Sequence, residues 1–231
     1  MNLNLLEIDV LFFAEDPGAA NYIVHLLKEC INKNISPKAV CDGKASYFFN
    51  QQNIEFLPSN KFSSAKQIFD TFNPKLVVIG TSENLESTGL FLVEEAKRRK
   101  IPTIGTVDAV MNAAYRFRGN TSNPFTYIPE WLFVPDEWTK LEYIKLGYHP
   151  ERVVVCGHPQ YDYVYAQTER LSRQGKKKMK RMYFPSVPKE KKVAIFVAEQ
   201  SGGLNPQQLV YSDDYTMIGR GRSNTRNEIV L

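Results

Sequence analysis

What most constrains this chain is an alternation that runs from near its start to about residue 170. Short apolar, β-branched runs change places with segments whose apolar residues recur every three or four positions. The runs are DVLFFAE (9–15), KAVCD (38–42), IEFLP (54–58), KLVVIGT (75–81), PTIGTV (102–107), WLFVPD (131–136) and RVVVCG (152–157). Between them lie NYIVHLLKECINKN (21–34), GKASYFFNQQ (43–52), SSAKQIFDTF (63–72), LESTGLFLVEEAKRRK (85–100) and EWTKLEYIKLG (137–147). Strand and helix periods in turn are the pattern of βαβ units, and several runs are apolar on successive residues, as strands covered on both faces must be. The fold class expected is α/β: a Rossmann-like parallel sheet flanked by helices. The basic KRRK suits a helix C-terminus, and Gly147 is expected just past the end of its helix.

After residue 160 the character changes. A helix-like start gives way to RLSRQGKKKMKR (170–181), then to two prolines, as in a linker. A strand KKVAIFVAEQ (191–200), a polar Gly-containing stretch and a helix start NEIVL (227–231) follow. Too little chain follows to bury a core of its own, so residues 191–231 are expected to open a second, incomplete domain. The organisation expected is 1–164 as the first domain, 165–190 as a basic linker or helix, and 191–231 as the truncated second.

The 43% hydrophobic residues suffice for a packed core, while no apolar run approaches the roughly 18 residues of a membrane span. The N-terminus lacks both a basic leader and a small-residue cleavage site, so a cytoplasmic protein is expected. Cys30, Cys41 and Cys156 are odd in number and far apart, which favours buried free thiols over disulfides or zinc. A net charge of +4 is no nucleic-acid-binding composition, and the basic excess is local. Residues 175–181 are either a solvated linker or a peripheral contact with the inner face of a membrane.

In an open parallel sheet ligands gather at the carboxyl ends of the strands. There, the turn EDPGAAN offers Asp16, a φ-fixing Pro17, a Gly18 that permits close approach, and Asn21 as helix cap or ligand contact. Without GxGxxG it is no dinucleotide fingerprint. The fourth run leads into Thr81, Ser82, Glu83 and Asn84, with Thr81 and Ser82 expected as caps. The fifth leads into Asp108, Asn112, Arg116 and Arg118. Carboxylates beside arginines on one rim suit sugar hydroxyls and phosphate. Among the histidines, His25 reads as a helix residue and His149 as a turn residue, and only His158 follows a strand directly. No metal spacing, GxSxG or P-loop is found, and no cofactor is expected.

The stretch VPDEWTKLEYIKLGYHPERVVVCGHPQYDYV (134–164) resembles the end of the N-terminal domain in GT-B glycosyltransferases and the related UDP-GlcNAc 2-epimerases. The DPGAAN loop and the tail from AEQSGGLN onward are similar to a bacterial surface-polysaccharide glycosyltransferase-like group. The resemblance implies transfer of a sugar from a nucleotide-sugar to a glycan acceptor. Asp16 or Asp108 would be the catalytic base, and Pro17, Gly18, Asn21, Ser82, Glu83, Asn112, Arg116 and His158 would line the substrate site. Glu199, Arg220 and Arg222 would meet the donor. Since most of a donor domain is absent from the sequence, weak or no activity is expected of this chain alone. A sugar-nucleotide epimerase-like protein and a non-catalytic binding module remain open alternatives, and a truncated second domain would encourage homo-oligomers.

Overall fold

A computed structural model describes residues 7–82 and 84–195. The chain divides into two compact units, Met1–Thr168 and Glu169–Leu231. In the first, six parallel strands form one sheet: β1 (Ile8–Ala14), β2 (Pro37–Cys41), β3 (Pro74–Gly80), β4 (Thr103–Thr106), β5 (Trp131–Val134) and β6 (Val153–Val155), in the order β2-β1-β3-β4-β5-β6. The helices are α1 (Pro17–Asn32), α2 (Ala45–Gln51), α3 (Ala65–Phe72), α4 (Thr88–Arg99), α5 (Glu137–Lys145), α6 (Pro159–Gln174) and α7 (Lys176–Tyr183).

β1 shows why the apolar runs are continuous rather than alternating. Leu11 and Phe13 face a core with Ile68, Phe69 and Phe72 of α3 and Leu92, Val93 and Ala96 of α4. Val10, Phe12 and Ala14 face another core, with Ala19, Ala20, Ile23 and Val24 of α1 and Ala45 and Phe49 of α2. A strand sandwiched by helices on both faces has no side to leave polar. α1 sits close to the sheet because Gly80, at the end of β3, lacks a side chain: a Cβ there would lie 2.4 Å from that of Ala19.

The run at 54–58 does not become a strand of the sheet. It makes a single bridge, Leu57 to Val40, with Cys41 N–H donating to Leu57 O and Leu57 N–H to Ala39 O. Asn53 at φ 54° turns the chain just before it, and Pro58, which has no N–H to give a ladder, ends it. With this rudimentary edge counted, the connection direction reverses between β1 and β3, the switch point at which such sheets open a crevice.

Helix ends also differ in part from expectation. α1 begins at Pro17, with Asp16 as its N-cap residue, so Asn21 lies within the first turns and caps nothing. α4 is capped by Ser87, whose Oγ accepts from Gly89 N–H, and neither Thr81 nor Ser82 serves. Gly147 stands where expected, at φ 99° past α5. Of the thiols Cys41 is buried, Cys30 half-buried and Cys156 exposed, because β6 is the sheet's edge. Residues 191–195 of the expected strand 191–200 carry no regular structure; the rest of that strand, the helix start at 227–231, and Glu83, Glu199, Arg220 and Arg222 lie outside the described residues.

Candidate functional site

The carboxyl ends of β1, β3 and β4 bring Gly18, Thr81, Asp108 and Arg116 together. Arg116 follows a short 3₁₀ turn (Ala113–Tyr115) and is buried, with its side chain 8% exposed. Its Nη1 donates to Asp108 Oδ1 at 2.8 Å and to Thr81 Oγ1 at 2.7 Å, and its Nε donates to Met111 O at 3.0 Å. Thr81 Oγ1 lies 3.4 Å from the same carboxylate oxygen. A guanidinium taken out of water costs several kcal/mol unless paired and hydrogen-bonded, and here it has both. The cluster thereby fixes the β4 loop against the end of β3.

The other carboxylate oxygen of Asp108 points at the start of α1. A Cβ on Gly18 would lie 1.9 Å from Oδ2, so glycine at the second position of α1 is what lets the carboxylate approach. Unpaired N–H groups give a helix N-terminus partial positive charge, which favours an anion there. Asp108 places its negative charge beside the start of α1, where the helix favours it.

Next to this cluster the ends of β1 and β2 hold residues that the sequence reading did not single out. Glu15 Oε1 accepts from Asn84 Nδ2 at 2.6 Å, while its Oε2 is buried with no hydrogen-bond partner. Asp42 accepts from Ser59 N–H at 2.9 Å and from the Thr88 hydroxyl at 3.1 Å. β1 and β2 pair in register Ala14 with Cys41, which makes Glu15 and Asp42 neighbours. Each closes an apolar run, in FFAE and AVCD, and that position was the available signal.

His158 immediately precedes α6 and packs against α1. Its Nδ1 accepts from Gln160 N–H at 3.2 Å, which requires the neutral ring with its proton on Nε2. Burial holds its pKa below the ordinary histidine value, against the pull of Asp108 and with that of His25. The ring lies 4.7 Å from that of Tyr22, whose buried hydroxyl contacts Cys156 Sγ at 3.0 Å and donates to Gly157 O at 3.1 Å. His25, whose Nε2 donates to Gln160 Oε1 at 2.8 Å, joins His158, Tyr161 and Tyr163 along an open cleft of about 660 Å³.

The residues expected at the site are only partly brought together. Gly18, Asp108 and Arg116 meet directly. Asp16 and Pro17 start α1 beside them, and Asn112, at φ 61°, begins the turn that leads to Arg116. Ser82 is buried and accepts from Asn84 N–H, a local turn contact. His158 stands apart, reaching the cluster only through the field of Asp108. Arg118 lies over the Tyr115 ring at 4.1 Å rather than pairing with the carboxylate. Among the described residues no group of three or more His, Cys, Asp or Glu side chains could hold a metal ion.

No protein-family model matches the sequence, and no curated protein matches it. Solved structures do share its fold. The UDP-GlcNAc 2-epimerase of Neisseria meningitidis bound to UDP-GlcNAc is similar at 17% identity and a TM-score of 0.55, over 78% of this chain and 55% of that one. The Methanocaldococcus jannaschii UDP-GlcNAc 2-epimerase in complex with UDP-GlcNAc and UDP gives 16% and 0.53, over 78% and 54%. The S. aureus MnaA–UDP structure gives 14% and 0.52, over 66% and 44%. The chain spans about half the length of these proteins, and at such identities the likeness is one of fold.

Proposed function

We propose that this chain is the acceptor-side part of a GT-B-type enzyme that uses a nucleotide-sugar, its reaction being sugar transfer to a cell-surface glycan. The observation that carries the reading is the Gly18, Thr81, Asp108 and Arg116 cluster at the reversal of strand order, the crevice in which such sheets hold ligands. The shared fold with epimerases solved with UDP-GlcNAc supports a nucleotide-sugar as the ligand.

Within this reading the two carboxylates take different parts. Asp108 has Oδ1 engaged by Arg116 and Thr81 and Oδ2 against α1, so it is a positioning residue that fixes the rim. Asp16, the N-cap residue of α1, takes the part of the base that accepts the proton of an acceptor hydroxyl. The diphosphate would rely on groups other than the start of α1, which Asp108 occupies. Donor contacts from Glu199, Arg220 and Arg222 belong to the same proposal.

A second reading, sugar-nucleotide epimerisation, is favoured by one observation: the three similar structures named above include two UDP-GlcNAc 2-epimerases bound to UDP-GlcNAc. Calorimetry of the purified chain against UDP-, GDP-, CDP- and dTDP-sugars tests both. Saturable binding that Arg116→Met weakens supports the nucleotide-sugar reading; absence of binding to every member overturns donor binding by this chain and leaves an acceptor-side part or a non-catalytic module. Incubation of the bound sugar with a glycan acceptor then separates the reactions, since transfer releases the nucleotide and epimerisation does not.

A further inference from the structure

The second unit carries a surface that the sugar chemistry does not use. Its described residues, 169–195, hold ten lysines and arginines against Glu169 and Glu190, a net +8, whereas the whole chain is only +4. Gly175, at φ 80°, separates α6 from α7, and α7 carries most of this charge. At about 100° per residue, Lys176, Lys177, Lys178, Lys180 and Arg181 occupy one side of the helix, and Met179, Met182 and Tyr183 the other. The apolar side is not covered: Met182 is 63% and Tyr183 57% exposed.

The segment that follows folds back on this helix. Lys180 Nζ donates to the carbonyls of Pro188 and Lys189 at 2.7 and 3.0 Å, and to that of Lys191. Between helix and segment lies a cavity of about 700 Å³, with Phe184, Pro185, Val187 and Pro188 as its apolar lining and Lys177, Arg181 and Lys189 among its polar residues. A cationic arc beside an exposed apolar face, next to a pocket of the same mixed character, fits one kind of partner.

We infer that α7 and the segment 184–191 dock on an anionic lipid surface, with the lysines at the headgroup phosphates and Met182 and Tyr183 in the headgroup–acyl boundary. Charge complementarity selects an anionic surface. The apolar face selects a bilayer over a nucleic acid, because on a duplex Met182 and Tyr183 would stay in water, whereas at a bilayer they leave it, and tyrosine prefers that interface. No helix among the described residues is long and apolar enough to cross a membrane, so the contact is peripheral.

The test is co-sedimentation of the full chain with mixed phosphatidylglycerol–phosphatidylcholine vesicles and with pure phosphatidylcholine vesicles. Binding is expected to the mixed vesicles, weakening as salt rises. Replacing Lys176, Lys177 and Lys178 with Gln should lower affinity by about a hundredfold. The double variant Met182→Ser, Tyr183→Ser should lower it by about tenfold and leave the salt dependence unchanged. Equal binding to pure phosphatidylcholine would overturn the inference, as would vesicle binding indifferent to the double variant or weaker than binding to an RNA duplex. The substitutions lie outside the first unit, so its thermal melt checks that folding is intact, and the result is independent of whether any sugar binds.

Discussion

The contact between Gly18 and Asp108 gives a substitution whose sign is opposite to the local rule. Gly18 lies in the first turn of α1, where alanine is favoured over glycine by up to about 1 kcal/mol. Here the new Cβ would stand 1.9 Å from Asp108 Oδ2 and 2.9 Å from its Cγ, so the carboxylate must leave. Oδ1 cannot stay while Oδ2 swings, and the 2.8 Å pair with Arg116 is lost along with it. Leaving a buried guanidinium without its partner costs about 3–5 kcal/mol. Set against the helical gain, Gly18→Ala should destabilise the first unit by about 2–4 kcal/mol, which at this size lowers the melting temperature by roughly 5–15 °C. Thermal unfolding followed by circular dichroism measures it. The control is the same substitution on an Asp108→Ala background, where no clash remains and alanine should be neutral or stabilising. A Gly18→Ala protein as stable as the parent, or equal effects in both backgrounds, would refute the coupling.

Other outcomes follow from the same structure. Tyr143 is fully buried, its hydroxyl has no hydrogen-bond partner, and burial raises its pKa, so Tyr143→Phe should be neutral or stabilising by up to about 1 kcal/mol in urea unfolding. Glu95, held by Arg98 and Arg99, has its pKa lowered to about 2, so its contribution is full above the unfolded value of 4.5 and lost as pH falls from there toward 2; Glu95→Gln should flatten that limb of an acid-unfolding curve. His158 has a lowered pKa and is neutral when folded, so its contribution is full above 6.5 and declines as pH falls below it; stability profiles of His158→Asn should lose that slope. Exposed Cys156 should react first with a thiol reagent, and buried Cys41, its pKa pushed up to about 12, last, as peptide mass mapping would show.

The sheet was legible because its central strands are buried on both faces and its helices keep a 3.6-residue period, two signals that survive without tertiary knowledge. The run at 54–58 misled because composition speaks for a strand while Asn53 and Pro58 leave no room for a ladder. Asp108 and Arg116 stand eight residues apart in sequence and were read as neighbours on the rim, but the burial of Arg116 was not visible. It depends on Thr81, 35 residues earlier, and only the adjacency of β3 and β4 brings the two together. Glu15 and Asp42 were missed for the same reason, since a carboxylate at the end of one strand means little until the next strand is known to lie beside it.

The pairing of Asp108 with the start of α1 also bears on how the chain assembles. Gly18 leaves the ribosome long before Asp108, so the first strand and helix are made before the carboxylate that sits at the helix start exists. β1 can collect β2 early, but the end of α1 that faces the rim is completed only when the loop after β4 arrives. Such a distant contact must close a long loop before it stabilises anything, so this rim is expected to set late, after the sheet around β1 has formed.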